Sequence, residues 1–107
     1  SAPAPAEPEI YEKGAAGIVT AVLVHKVEPF YPIFERRNEI EGKVGVKFVV
    51  RADGTVAEVS VIKSSGSNNF DESAVKAVKQ WKFKPAMKGD KPVKMLIKQY
   101  VVFRLEE

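Results

Sequence analysis

The feature that most constrains this chain is a change of hydrophobic period at its centre. From Lys43 to Val50 the pattern alternates, with Val44, Val46, Phe48 and Val50 on one face opposite Lys43, Gly45, Lys47 and Val49. Period two marks a half-buried strand, because successive side chains point to opposite sides of the pleat. Arg51-Ala52-Asp53-Gly54 then carries an Asp-Gly turn signal, whose glycine takes positive φ at low steric cost. Val56 to Ile62 reads as the return strand, with Ala57, Val59 and Val61 on one side and Glu58 and Ser60 on the other. Beyond the turn-rich Ser64–Asn69 the period becomes helical, and Phe70, Ala74, Ala77, Val78 and Trp81 form one apolar stripe. Asn69 is the expected helix cap, with Glu72 at the reciprocal capping-box position, and Pro85 prevents continuation. A hairpin followed by an amphipathic helix is thus expected.

The flanks extend this pattern. Gly17 to Val27 is apolar and β-branched, lies between glycines and Pro29, and is expected to form a strand. It is assigned a role as an extra strand or a dimer contact that shields an edge. Tyr31–Glu41 reads as a short helix: Pro32 suits the first turn, Ile33, Phe34 and Ile40 give an apolar side, and Gly42 offers a stop. After the loop Lys88–Pro92, the residues Val93, Met95, Ile97, Val101, Phe103 and Leu105 alternate as a long final strand, with Gln99 the one break. The order strand, helix, strand, strand, helix, strand predicts an α+β fold: a small antiparallel β-sheet with two helices packed on one face. The other face and at least one edge are left open.

The chain has 107 residues, enough for one domain with a core of its own. Its one composition shift lies at the start, where Ser1–Glu9 is rich in Pro and Ala and has no apolar face, the character of an extended linker. Residues 1–16 are therefore assigned to a linker expected to be disordered, and residues 17–107 to the domain. No apolar run reaches the ~20 residues of a membrane-spanning helix and no signal peptide is evident, so any anchor is expected upstream of Ser1. The net charge of +3 is unevenly spread: from Lys76 to Arg104 there are nine basic residues and one acid, Asp90. Such a surface can attract nucleic acid, anionic lipid or an acidic protein, but is most simply a solvated one.

Catalytic chemistry finds little support. His25 is the only histidine and there is no cysteine, so neither a metal cluster nor thiol catalysis is available. Glu35, Glu39 and Glu41 share a short helix with Arg36 and Arg37 and read as a solvated face. Ser64, Ser65 and Ser67 have no partnering base, and the glycines fit no phosphate-cradling or nucleophile-elbow motif. No enzyme, cofactor or metal is expected. A base-stacking face is also unexpected, because Tyr100 is the single aromatic candidate on the outer side.

Tyr31-Pro32, Glu41–Phe48 (EGKVGVKF), Asp53-Gly54, Val59–Gly66 (VSVIKSSG), Phe70-Asp71 and Trp81–Pro85 (WKFKP) follow one another in an order that is distinctive as a set. In that order and spacing the chain resembles the TonB C-terminal domain over roughly Lys26 to Phe103. The resemblance implies a periplasmic domain of a protein anchored in the inner membrane, working with ExbB and ExbD on the proton motive force. Such a domain grips the TonB box, an extended segment of an outer-membrane transporter, as a strand beside its own last strand. Force through that pairing admits iron-siderophore, haem or vitamin B12. Peptidoglycan and a second copy of the chain are further partners to be considered; nucleic acid is not expected. Other readings of the same fold are a general periplasmic protein- or peptidoglycan-binding scaffold and a basic nucleic-acid-binding module.

By the same resemblance Val93, Lys94, Met95, Leu96, Ile97, Lys98, Gln99, Tyr100 and Val101 supply the pairing edge, and Glu28, Pro29, Phe30, Tyr31 and Pro32 a second contact. Glu28 stands where many relatives have glutamine, and Phe34 where an arginine is common, leaving Arg36 and Arg37 as the nearest cations. Main-chain pairing tolerates such changes, since its affinity comes largely from N–H and C=O groups.

Overall fold

The computed structural model of the chain describes residues 10–105, so the Pro/Ala-rich stretch 1–9 lies outside the described residues. Eight strands and two helices follow in the order β1 (Ile10–Glu12), β2 (Ile18–Val19), β3 (Val22–His25), α1 (Ile33–Arg37), β4 (Gly42–Val50), β5 (Val56–Lys63), α2 (Asn68–Lys79), β6 (Lys82–Lys84), β7 (Ala86–Lys88) and β8 (Lys91–Phe103). The expected hairpin is β4–β5, and β8 pairs antiparallel with β4 from Gly42↔Phe103 to Val50↔Met95. This makes a small antiparallel sheet with the helices packed on it.

The core forms where the alternating faces of β4 and β8 meet the stripe of α2. Val44, Val46, Phe48 and Val50 from β4, Met95, Ile97, Val101 and Phe103 from β8, and Phe70, Ala74 and Val78 from α2 are all buried. Trp81 and Phe83 close one end against Phe48, with ring centroids 6.2 and 5.6 Å away. At the other end Phe70 stacks on Phe103 at 4.4 Å, and Tyr31 meets both rings edge-on. Burying each such side chain contributes about 1.5–3 kcal/mol, so these two aromatic clusters pin the helices to the sheet.

Several expectations are corrected. The Gly17–Val27 strand is broken at Thr20-Ala21 into β2, which pairs with β7, and β3, which pairs with β6. Ile10–Glu12, assigned to the linker, forms β1. The first helix is only five residues long, and its stop is Glu39 rather than Gly42. Glu39 takes φ 54°, its N–H donates to Arg36 O at 3.2 Å, and the Ile40 N–H donates to Glu35 O at 2.8 Å. That is the Schellman pattern with glutamate where glycine is usual. The cap of α2 is Ser67, whose Oγ accepts from the Phe70 N–H at 3.3 Å, not Asn69. The alternation along β5 fails at Glu58, which has φ 53°. There Lys47↔Ser60 gives way to Val49↔Ala57, so Phe48 faces two residues across a bulge. The bulge puts Val56 and Val59 together against the core; Val61, opposite the buried Val46, is on the same face as Val59 but exposed.

Candidate partner-binding edge

A sheet edge is a row of unpaired N–H and C=O groups, and the sheet offers two of them in its central part. The outer edge of β5 is interrupted by the bulge at Glu58, and its start is joined to Lys82 through the Thr55↔Lys82 bridge. Gly54, beside that bridge, must be glycine: its φ is +89°, and a Cβ would lie 2.2 Å from Phe83 O. The second edge is the side of β8 turned away from β4. Along Ile97–Phe103 it has no strand partner among the described residues.

The pairing edge expected over Val93–Val101 is open along part of its length. Val93 pairs with Ala86 of β7, and Lys94, Met95 and Leu96 pair with β1. Ile97, Lys98, Gln99, Tyr100 and Val101 remain open on that flank, with Ile97 and Val101 buried on the helix side and Lys98 and Tyr100 exposed on the outer face. Gln99 lies on the inward-facing register yet is exposed, because it borders a recess of about 110 Å³. Glu28 and Pro29 line that recess together with Gln99, Tyr100 and Val101, so the two expected contact regions meet there. Trp81 holds the segment in place, its Nε1–H donating to Val27 O at 2.9 Å.

The remaining expected residues lie elsewhere. Phe30 is 71% exposed and, with Glu28 and Pro32, lines a groove of about 430 Å³ against α2. Tyr31 is a packing residue: its ring meets the stacked Phe70 and Phe103 edge-on and its hydroxyl donates to Ile40 O. Burial first, then the Glu41 and Glu35 carboxylates, raise the pKa of that phenol. Arg36 and Arg37 are exposed on α1 and line neither the recess nor the groove. Of the glutamates expected to form a solvated face, Glu39 and Glu41 are exposed but Glu35 is not. Glu35 is buried and accepts from Ser67 Oγ at 2.9 Å and Asn69 Nδ2 at 3.1 Å, tying α1 to the start of α2. Glu41 accepts from the Leu105 N–H at 2.7 Å, beyond the end of β8. Among the described residues no group of three or more His, Cys, Asp or Glu side chains could hold a metal ion.

Comparison with known proteins agrees with this architecture. Residues 27–105 match the family model described as Gram-negative bacterial TonB protein C-terminal. Protein tonB2 of Pseudomonas aeruginosa is 45% identical over 71 residues, 66% of this chain and 26% of that protein. Protein TonB of Vibrio cholerae is 36% identical over 86 residues, 80% of this chain and 35% of that protein. The solution structure of the Pseudomonas aeruginosa TonB C-terminal domain superposes with a TM-score of 0.71 at 26% identity, covering 92% of this chain and 97% of that one. The chain belongs to the TonB C-terminal domain family, whose members are not enzymes. It spans about a quarter to a third of the length of those two curated relatives.

Proposed function

We propose that this domain works in the periplasm as the adapter of an inner-membrane energy transducer. It captures the TonB box of an outer-membrane transporter as an added strand. The observation that carries this reading is the open flank of β8 over Ile97–Phe103, bordered by the recess that Glu28 and Pro29 share with Gln99–Val101. An extended peptide laid there satisfies main-chain donors and acceptors that otherwise rely on water, and its side chains alternate between the recess and the lysine-bearing outer face. The upstream protein, with ExbB and ExbD, supplies the force, and iron-siderophore, haem or vitamin B12 is the cargo admitted. Titrating the ¹⁵N-labelled domain with a synthetic TonB-box peptide tests the assignment. Amide shifts are expected to concentrate in Ile97–Phe103 and Lys26–Glu28. Shifts confined to β5 or to the outer face of α2 would place the partner elsewhere and end this reading.

A further inference from the structure

The flank assigned above to a partner already holds a strand of this same chain. β1 runs parallel to β8, with Ile10 opposite Lys94, Tyr11 opposite Met95 and Glu12 opposite Leu96. Met95 and Leu96 also pair with Val50 and Val49 of β4, so β1 must lie on the side of β8 away from β4. That is the side on which Ile97–Phe103 is open, and β1 ends where the opening begins. A cleft of about 280 Å³ between Glu12, Lys13, Leu96 and Lys98 marks the junction.

β1 is held lightly. Ile10 and Glu12 are exposed and only Tyr11 is half-buried. Lys88 Nζ donates to Tyr11 Oη at 3.2 Å and lies 5.5 Å from the ring centroid. Parallel pairing is also slightly weaker per residue than antiparallel. The chain that follows is anchored: Ile18 and Val19 pair with β7, and Ala21 is buried with its N–H on Met95 Sδ at 3.5 Å. Between the light hold and the firm one stand Gly14 and Gly17, with φ of 90° and 74° and open space around both. Residues at such positions can absorb a large change of φ and ψ, which is what a hinge requires.

We propose that β1 is a built-in surrogate for the partner strand, covering the Lys94–Leu96 end of the flank until the partner's extended segment, running in the same direction, displaces it about Gly14–Gly17. The inference rests on the proposed function and adds the competitor and the direction of approach. Strand-for-strand exchange keeps the main-chain groups of Lys94–Leu96 paired before and after capture, and it blunts the edge while no partner is present. A partner confined to Ile97–Phe103 leaves β1 in place, whereas a longer one must evict it.

The chain contains no cysteine, so Glu12→Cys with Leu96→Cys gives a single cystine that fixes β1 to β8. The same protein after reduction is its own control. Titrated with a TonB-box peptide, the oxidised form is expected to bind about tenfold more weakly than the reduced form, the loss of two or so main-chain hydrogen bonds. Equal affinity in the two forms overturns the surrogate strand and leaves the proposed function standing. A second arm needs no transporter peptide. In Tyr11→Pro, whose β1 pairing is broken, a synthetic peptide of residues 9–14 supplied in trans is expected to shift the amides of Lys94–Leu96. If circular dichroism shows that variant folded and those amides do not move, the inference fails whatever the TonB-box peptide does. Ile10→Cys with Lys94→Cys replaces the first pair if that pair disturbs the fold.

Discussion

At the scale of the residue, the least orthodox choice in the fold is Glu39. It occupies the left-handed position of the Schellman turn at φ 54°, where a side chain costs about 1–2 kcal/mol relative to glycine before glycine's extra entropy in the unfolded chain is subtracted. Glu39→Gly is therefore expected to stabilise the domain by about 0.5–1 kcal/mol, read as a higher midpoint in urea melts with unchanged m-value. A lower midpoint would mean that the Glu39 side chain contributes more than its backbone strain removes. Asp71 has the opposite character. Burial opposes its ionisation, but hydrogen bonds from Ser64 Oγ, the Ser65 N–H and Ser65 Oγ outweigh that, and its pKa is lowered. A lowered carboxyl pKa contributes stability that is full above the unfolded value of about 4 and is lost as pH falls through the folded value. Wild type should thus exceed Asp71→Asn in stability at pH 7, and the gap should close below about pH 4; a gap independent of pH would refute the ionic account. Neither role of the α1 glutamates is legible in the sequence. Spacing places Glu35 and Glu39 on a helix, but only the fold brings Ser67 and Asn69 to Glu35 and forces Glu39 into a turn.

Among the elements, what could be read in advance was what carries a period. β4, α2 and β8 are long enough for alternation or a helical stripe to show, and they hold most of the core. β1, β2, β6 and β7 have two or three residues each and no period at all; their strand character comes from the neighbour each finds. β5 is the instructive intermediate, since its pattern was visible but one residue in the left-handed region shifted its phase. The period of the candidate edge showed only a strand; the resemblance marked Val93–Val101 as a pairing edge, but how much of that flank is open depends on β1 and β7. Main-chain donors alternate in direction along a strand just as side chains do. Of Lys98→Pro and Gln99→Pro, one therefore removes a donor to β4 and the other a donor to the open flank. The first should unfold or strongly destabilise the domain; the second should keep the fold by circular dichroism while weakening TonB-box peptide binding tenfold or more. If the folded member of the pair binds as wild type does, main-chain pairing at this edge is not the mode of recognition.

For the molecule as a whole, the uneven charge seen in the sequence becomes a surface. Lys47 and Lys98 sit directly opposite each other in the β4–β8 register, both exposed, and Lys43 lies over the Tyr100 ring at 4.8 Å on the same outer face. Like charges facing across a strand pair destabilise a sheet, so the face carries a small cost. Next to the open flank the same lysines discourage edge-to-edge pairing with another copy and attract an acidic segment. Lys98→Glu separates these effects. It replaces the repulsion with an attraction to Lys47, so thermal stability should rise modestly at low salt. Association with an acidic TonB-box peptide should slow severalfold in the same buffer, because steering by exposed charge acts chiefly on the on-rate. Raising the salt to about 0.5 M should shrink both differences, as the screening length falls to a few ångströms. Stopped-flow association rates beside thermal melts of the two proteins, each at both ionic strengths, read all four quantities. A Lys98→Glu protein that gains stability but associates as fast as wild type would show that the lysines guard the edge without guiding a partner to it.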